Sequence, residues 1–276
     1  MRDGGSKGIG GIGIAILVII AILALGGIVY VMLNYGVGTR GSGNVISQDF
    51  MASGFSSVQV GGGFTVNVTQ GISYQVRVFT DDNIMGLVVV NSTNGTLHVG
   101  LKPGSIVRLT TLRVEITMPS MTSIDLSGGT QGRMSGFVAM TQNRLAIMLS
   151  GGSSLEVVGA SVASFTASLS GGSSLRGSIT ASGGVDSNFM LSGGCSVSLS
   201  GTAGDMIIDA SGGSSLDLLA MEAHDVRVTL SGACSAKVNM DGTLNADLSG
   251  LSSLAYTGTP TIGSLVLSGG SSAGPL

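Results

Sequence analysis

Charged residues are scarce in this chain of 276 residues, and the scarcity excludes several classes of protein. They make up 10% of the sequence, against the ~25% usual in soluble domains, and the formal net charge is −3. Because a nucleic-acid-binding surface needs clustered lysine and arginine, we expect no nucleic-acid partner. The 43% apolar content argues against a disordered chain, since disorder goes with few apolar residues.

Tryptophan is absent, and there are only four prolines and two cysteines. Two cysteines are too few for the disulfide framework of a small secreted domain or for an ordinary zinc site. The stretch from Gly8 to Gly13 fits the dinucleotide pattern G-x-G-x-x-G, but no strand precedes it and an apolar run follows it. We therefore expect no cofactor and no metal.

Glycine is abundant, with 47 residues, and much of it belongs to a repeated phrase. The phrase is Ser-Gly-Gly, with the variants Ser-Gly-Ala and Ser-Gly-Leu. It begins at Ser127, Ser150, Ser170, Ser192, Ser211, Ser231, Ser249 and Ser268. Successive phrases lie 18 to 23 residues apart, which is about one coil of a solenoid.

A short strand is predicted before each phrase, because the residues one and three positions before its serine are always apolar. These sixteen residues are Ile124, Leu126, Ile147, Leu149, Ala167, Leu169, Phe189, Leu191, Ile208, Ala210, Val228, Leu230, Ala246, Leu248, Leu265 and Leu267. Alternation with period two is typical of a strand with one buried face. A flexible Gly/Ser linker has no reason to hold sixteen apolar positions in phase. A second apolar residue follows most turns, as at Leu155 and Leu175. The sequence thus predicts an all-β protein, a parallel β-helix (solenoid) of ~20 residues per coil.

The amino-terminal region predicts one transmembrane α-helix. Residues 9–33 contain no charge, and 25 helical residues span roughly 38 Å, enough to cross a bilayer. A cleaved signal peptide is the alternative, but its apolar core is shorter and no A-x-A cleavage site follows. Arg2 and Lys7 precede the run, which places the amino terminus in the cytoplasm and the bulk of the chain outside.

The predicted organisation has four parts. Residues 1–8 are a short cytoplasmic segment, 9–33 the helix, 34–46 a flexible tether and 47–276 the β-helix domain. Within that domain, 47–120 form opening coils and a cap, with a hairpin turn at Asn94-Gly95, and 121–276 carry the repeats. The sequence after the last phrase, SSAGPL, predicts an uncapped final coil able to self-associate.

Three stretches of the chain resemble the head GIN domain family, described as auto-transporter adhesins. They are FSSVQVGGGFTVNVTQG (55–71), YQVRVFTDDNIMGLVVVNSTNGTLHVGL (74–101) and LRVEITMPSMTSIDLSGG (112–129), and the SGG phrases complete the resemblance. It covers about 45–276. It implies a right-handed parallel β-helix with an adhesin-like role. A single membrane helix in place of an outer-membrane translocator departs from what "auto-transporter" implies.

Candidate sites are few. Asn67, Asn91 and Asn94 each begin an N-x-Ser/Thr sequon, so all three are candidate glycosylation sites of an external domain. Cys195 and Cys234 occupy the same slot after their phrases, two coils apart. Two coils is roughly 9.6 Å, beyond disulfide reach, so we expect two free thiols.

Titratable residues do not converge in the sequence. Asp125, Asp209 and Asp247 share one predicted outer column, but Met, Ser and Thr interrupt it. Glu222, His224 and Asp225 are interpreted as a solvated loop, and His98 as a lone residue on a strand. Acid–base chemistry needs groups that converge on a pocket, so we expect no enzyme activity and no catalytic residue.

The sequence therefore favours a membrane-anchored, extracytoplasmic β-helix that acts as a non-enzymatic structural or adhesive protein of the cell surface. Its expected partners are the membrane, through 9–33, and glycans or other cell-surface molecules. One alternative is a pilin-like filament subunit, because Lys7-Gly8 before the apolar run resembles a pilin processing site. A second alternative is a carbohydrate-binding or carbohydrate-active surface protein.

Overall fold

The structure, a computed structural model, describes residues 38–182 and 187–276. The predicted membrane helix at 9–33 and the Lys7-Gly8 site lie outside the described residues. Within those two ranges, no helix is long and apolar enough to cross a membrane.

Almost every element is a β-strand, as the period-two pattern predicts. Among the described residues the one helix, α1, is the short segment Asp82–Met85. The strands, β1 to β22 in chain order, are Thr39–Arg40, Val45–Phe50, Ser57–Gly61, Thr65–Gln70, Gln75–Asp81, Val88–Thr93, Thr96–Leu101, Val107–Arg108, Leu112–Met118, Ser123–Ser127, Gln131–Ser135, Met140–Leu149, Ser154–Gly171, Ser174–Ala181, Ser187–Gly193, Ser196–Ala210, Ser215–Leu230, Ser235–Met240, Thr243–Leu248, Ser253–Gly258, Thr261–Leu267 and Ser272–Pro275.

The strands stack into a parallel β-solenoid with two long ladders and one short ladder. The first ladder, which precedes the phrases, runs β6-β7-β3-β10-β12-β13-β15-β16-β17-β19-β21. The second ladder, which follows them, runs β2-β5-β9-β4-β11-β13-β14-β16-β17-β18-β20-β22. The third ladder joins the middle of each coil, from β12 to β20. The longest strands bend at corners and so contribute to more than one ladder.

The register confirms that one phrase interval is one coil. Leu126 lies opposite Leu149, which lies opposite Leu169, and the same column continues to Leu248 and Leu267. Fourteen of the sixteen predicted core residues are buried. The exceptions, Leu265 and Leu267, belong to the last described rung of the first ladder and are exposed there.

The turn at each phrase explains which of its residues vary. The first glycine of every phrase has φ between +62° and +90°, a region that side chains other than glycine adopt only with strain. At Gly212, an added Cβ would also lie 2.7 Å from the carbonyl oxygen of Gly193 in the preceding coil. The second glycine has a negative φ in most coils, and this is where Ala233 and Leu251 stand in the variant phrases.

The amino-terminal end of the solenoid is covered by antiparallel strands. Strands β2, β5 and β9 pair antiparallel and extend the second ladder, and the hairpin β6–β7 extends the first. Asn94 and Gly95 have φ of 52° and 74°, the two positive values of a type I′ turn, which confirms the predicted hairpin. Antiparallel strands end the stack without presenting another parallel edge of the solenoid.

One full coil stands before the first SGG phrase, within the segment 47–120 that was predicted to form opening coils. Gly61 lies opposite Ser127 in the first ladder, and the N–H of Gly62 donates to the carbonyl of Ser127, 3.3 Å away. Phe64 is fully buried in the slot that Thr130 occupies one coil later. The run Gly61-Gly62-Gly63 is therefore a variant of the phrase without its serine.

Residues 38–46, predicted as part of a flexible tether, are attached to the cap. β1 pairs with β8, and β2 begins at Val45. Asp81 is buried and accepts hydrogen bonds from the N–H of Gly43, the hydroxyl of Thr110 and the N–H of Thr111. These bonds hold the pKa of Asp81 below its ordinary value, and the bond from the Thr110 hydroxyl has the largest effect. A charged carboxylate therefore fastens the start of the described chain to the cap.

Both cysteines are free and buried, as predicted. Their column runs Thr130, Ser153, Ser173, Cys195, Ser214, Cys234 and Ser252. In each of these residues the side-chain oxygen or sulfur donates to the carbonyl three residues earlier, at 3.2 Å for both cysteines. Each thiol thus replaces a serine hydroxyl at the corner.

Candidate functional site

The outer face of the first ladder carries one continuous row of side chains. From the cap onward the row reads His98, Gln59, Asp125, Met148, Ser168, Met190, Asp209, Thr229, Asp247 and Val266. The three aspartates therefore share one column, as the sequence predicts. A parallel row of phrase serines runs beside it, two residues further along each strand. We call these two rows together the serine face.

At the cap end of the serine face, three side chains form a hydrogen-bonded chain across adjacent strands. Nδ1 of His98 lies 2.7 Å from Oε1 of Gln59, and Nε2 of Gln59 donates to Oδ2 of Asp125 at 2.9 Å. The interpretation of His98 as a lone residue is therefore wrong. Sequence reasoning missed this contact because 39 residues separate His98 from Gln59, and only the pairing of β7 with β3 brings them together.

Two shallow, open depressions lie on the serine face. The first, of about 530 Å³, is lined by Asp125, Met148, Ser168, Met190 and Asp209, together with phrase serines. The second, of about 520 Å³, lies at the cap beside Gln59 and His98 and also contacts Asn91 and Ser127. Hydroxyl, carboxylate and thioether groups therefore line a broad surface rather than a deep cleft.

The spacing of the carboxylates on this face does not suit a glycosidase pair. Asp125 and Asp209 are four strands apart, roughly 19 Å at the usual strand spacing, whereas glycosidase carboxyls lie ~5–9.5 Å apart. Asp209 and Asp247 are two strands apart, roughly 10 Å, but only Asp209 lines the depression. Within residues 38–182 and 187–276, no three His, Cys, Asp or Glu side chains are grouped as metal ligands would be.

The outer face of the second ladder is different, because its charges neutralise each other. Its row reads Asp49, Arg77, Glu115, Asn67, Arg133, Glu156, Arg176, Ser198, Asp217 and Lys237. Arg77 makes a bidentate contact with Asp49 at 2.6 and 2.9 Å. Glu156 lies between Arg133 and Arg176, at 2.5 and 3.6 Å. Arg133, Glu156 and Arg176 each lie six residues after a phrase serine, so the phrase interval was a signal for this column that sequence reasoning did not use.

Glu222, His224 and Asp225 lie within strand β17, so the prediction of a loop is wrong. His224 pairs instead with Asp241 of the next coil, with Nδ1 and Oδ1 2.8 Å apart. Asp225 accepts from the N–H of Thr243 at 2.6 Å. The pKa of His224 is raised above its ordinary value. The hydrogen bond to Asp241 is the largest cause, and the charges of nearby carboxylates add to it. The residues are exposed and form a corner clamp between coils rather than a pocket.

The three sequons lie on different surfaces. Asn67 is half-buried in the second ladder, between Glu115 and Arg133. Asn91 is exposed on the outer strand of the cap hairpin, and Asn94 is exposed at its turn. Glycosylation at these sites stays a prediction, and exposure favours Asn91 and Asn94.

Solved structures share this fold. A protein of Parabacteroides distasonis described as a "putative adhesin" matches with a TM-score of 0.75 and 16% identity, over 87% of this chain and 100% of that one. A second protein of that organism, described as a "putative lipid binding protein", matches with a TM-score of 0.70 and 14% identity, over 86% and 99%. A "putative adhesin" of Bacteroides fragilis matches with a TM-score of 0.60 and 21% identity, over 86% and 98%. At these identities the likeness concerns the fold alone.

A search of curated proteins finds no match. Residues 54–260 match the family described as "Putative auto-transporter adhesin, head GIN domain". That range begins before the Gly61 coil and ends after β20, so it takes in most of the cap and the stacked coils of the serine face. The chain therefore belongs to the head GIN domain family of adhesin-like β-solenoid proteins.

Proposed function

We propose that this protein is a non-enzymatic adhesive protein of the cell surface, held in the membrane by residues 9–33 with the solenoid outside the cytoplasm. Its serine face binds glycans on neighbouring surfaces. The observation that carries the proposal is the serine face itself, a long and open surface of hydroxyl and carboxylate groups. Membership in an adhesin-like family supports the same role.

The chemistry of the serine face suits sugars. Serine hydroxyls both donate and accept hydrogen bonds, and carboxylates accept them, which matches the dense hydroxyl groups of a glycan. The exposed side chains of Met148 and Met190 stand on either side of Ser168 and supply adaptable apolar contact for the C–H faces of sugar rings. Repetition along the ladder provides many weak contacts at once, which favours avidity over single-site affinity.

A carbohydrate-active enzyme is the less favoured reading of the same face. Hydrolysis needs two carboxylates held at a fixed spacing around the bond that is cleaved. The depression between Asp125 and Asp209 is open, and its carboxylates lie too far apart for that role.

A matched pair of substitutions tests glycan binding. In the full-length chain in lipid nanodiscs, Ser168→Arg places a long cation in the centre of the serine face. Ser198→Arg places the same group on the second ladder. We expect glycan-array or cell binding to fall at least severalfold for Ser168→Arg and to persist for Ser198→Arg. Equal binding by both variants, or no binding by the parent protein, would contradict the proposal.

A second role, self-association, is favoured by the last described coil. The outward edges of β21 and β22 have no partner strand among the described residues, and Leu265 and Leu267 are exposed at core positions. No charged residue follows Asp247, whereas edge strands are commonly protected by charge. Two such uncharged edges can approach without repulsion, so a second copy of this chain is the proposed partner.

A further inference from the structure

We propose that one rim of the cap rests on the bilayer surface and binds anionic lipid headgroups. This membrane rim consists of Arg40, Lys102, Ile106 and Leu109. The inference rests on the proposed membrane anchor and adds to it an orientation and a second, weaker contact with the membrane. It follows from where the described chain begins, which side chains surround that point and how they are charged.

The start of the described chain is fixed against Ile106. The N–H of Thr39 donates to the carbonyl of Ile106 at 2.8 Å, and the N–H of Gly41 donates to that of Arg108 at 3.1 Å. A Cβ at Gly38 would lie 2.8 Å from Cγ2 of Ile106. The backbone of residue 38 therefore passes directly beside this side chain.

Only residues 34–37 separate the predicted membrane helix from Gly38. Five Cα–Cα steps therefore join residue 33 to Gly38, and they span at most roughly 18 Å when fully extended. Any bilayer that holds 9–33 must then lie within that distance of Ile106. The tether thus gives the rim a high effective concentration at the membrane surface, so even a weak affinity is sufficient for contact.

The membrane rim combines exposed apolar and basic side chains. Ile106 and Leu109 are both exposed, and Leu109 is held at φ +48°, a conformation rarely adopted outside glycine and asparagine. Its neighbour Thr110 is fixed by the hydrogen bond to buried Asp81. The exposed position of Leu109 is therefore set by the cap and is not the result of a loose loop.

The basic residues of the rim are available to a partner. Arg40 and Lys102 are exposed and make no ion pair within the part of the chain that the structure describes. The carboxylate of Asp81 is buried, and that of Asp82 accepts hydrogen bonds from Ser42, Asn44 and the N–H of Asn83.

Together these side chains present the chemistry that membrane-surface segments use. Apolar residues enter the headgroup region, while lysine and arginine meet anionic phosphates. The other end of the described solenoid is also apolar but carries no charge, and the stacked ladder separates the two ends by roughly 40 Å.

The experiment uses the full-length chain in vesicles of phosphatidylcholine and phosphatidylglycerol. Cys195→Ser and Cys234→Ser provide a thiol-free background, because serine already fills the same column in other coils. A fluorescent label is attached at Leu109→Cys or, as the control, at Leu251→Cys near the far end. These two leucines are matched in exposure, at 73% and 74%. Lipids that carry a quencher in the headgroup then report the proximity of each label to the bilayer.

We expect quenching at position 109 to exceed that at position 251 severalfold. Replacing phosphatidylglycerol by phosphatidylcholine, or introducing Arg40→Gln with Lys102→Gln, should reduce that excess. A chain that floats with vesicles but shows equal quenching at both positions would overturn the membrane rim and leave the anchor intact. An excess that is insensitive to both charge changes would overturn the recognition of anionic lipid. A chain that does not float with vesicles would overturn the anchor itself.

Discussion

The two glycines of each phrase have different structural roles, and the neighbours Gly212 and Gly213 test this directly. Gly212 has φ +82°, and a Cβ there would lie 2.7 Å from a carbonyl oxygen, whereas a Cβ at Gly213 meets nothing within 4 Å. We expect Gly212→Ala to lower the free energy of unfolding by about 2–4 kcal/mol, from backbone strain and the clash together. Gly213→Ala should change it by less than about 1 kcal/mol.

Urea denaturation of both variants measures the difference. The phrases with Ala233 and Leu251 already contain the equivalent of the Gly213 change, which is the basis for expecting tolerance there. Equal destabilisation by the two substitutions would mean that the phrase glycines are not distinguished by their backbone conformation.

The corner column predicts that Cys195 and Cys234 are interchangeable with serine. Each thiol lies 3.2 Å from the carbonyl three residues earlier, as Ser214 does through its hydroxyl. We expect Cys195→Ser and Cys234→Ser each to change the unfolding free energy by less than about 1 kcal/mol, since a serine hydroxyl makes the same bond. Thiol reagents should modify the native protein only slowly because both sulfurs are buried. A Cys195–Cys234 disulfide in peptide mapping would contradict the register.

At the scale of the element, the contact between β17 and the turn after β18 should respond to pH through His224. Its ordinary pKa of 6.5 is raised, first by the hydrogen bond to Asp241. A histidine whose pKa is higher in the folded than in the unfolded protein stabilises the folded state. This stabilisation is complete at pH values below the unfolded-state pKa, and it disappears as the pH rises through the folded-state pKa. The corner clamp should therefore weaken as the pH rises through the raised pKa of His224.

NMR titration of the His224 ring measures this effect. Asp241→Asn removes the largest cause of the shift, so the pKa of His224 should fall toward 6.5. The charges of Asp225 and Asp205 keep a smaller upward effect. A pKa that Asp241→Asn leaves unchanged would show that the contact does not persist in solution.

The alternating charges of the second ladder give another prediction for an element. Glu156→Lys would place three cations on adjacent strands, because Glu156 lies between Arg133 and Arg176. We expect a loss of about 1 kcal/mol in stability, since like charges opposite each other repel, and a partial recovery in high salt. The control, Glu156→Gln, should lower the stability by only about a few tenths of a kcal/mol, because exposed ion pairs contribute little. Thermal unfolding of the parent protein and both variants, at low and at high salt, measures these differences.

At the scale of the whole molecule, the exposed end of the solenoid predicts association between copies. Leu265→Lys introduces a charge on β21, and Val158→Lys introduces the same charge in the middle of the stack. The two residues are similarly exposed, at 41% and 39%. We expect sedimentation of the full-length chain in detergent to show a dimer for the parent and for Val158→Lys, and a monomer for Leu265→Lys. A monomeric parent would contradict the proposal.

Much of this architecture could be predicted from local pattern. Apolar alternation before each phrase located the first ladder and its register, and Asn94-Gly95 located the cap hairpin. The opening coils were predicted in 47–120, but the turn Gly61–Gly63 was not recognised as a variant of the phrase because it lacks the serine, although Val58 and Val60 show the same alternation. The Glu222–Asp225 stretch was misread because its three titratable residues look like a loop. Met221 and Ala223 alternate with them and are buried, and the stretch continues a bent strand.

The candidate site depended more on stacking than on any motif. Asp125, Asp209 and Asp247 could be placed in one column because the phrase interval fixes their register. The same interval places Arg133, Glu156 and Arg176 in one column, each six residues after a phrase serine. The contact of His98 with Gln59 needed the pairing of β7 with β3, which lies before the regular repeats.

The sequence alone determined the period of the coil, the inward side of the first ladder and the glycine corners, because each depends on neighbouring residues and local backbone preferences. The tertiary structure decided which outer side chains meet, that the second ladder neutralises its charges while the serine face stays open, and which rim surrounds the start of the described chain. Those contacts join residues 17 to 67 positions apart. Only the pairing of whole coils fixes such distances, since each coil is held by its neighbours and not by its own sequence.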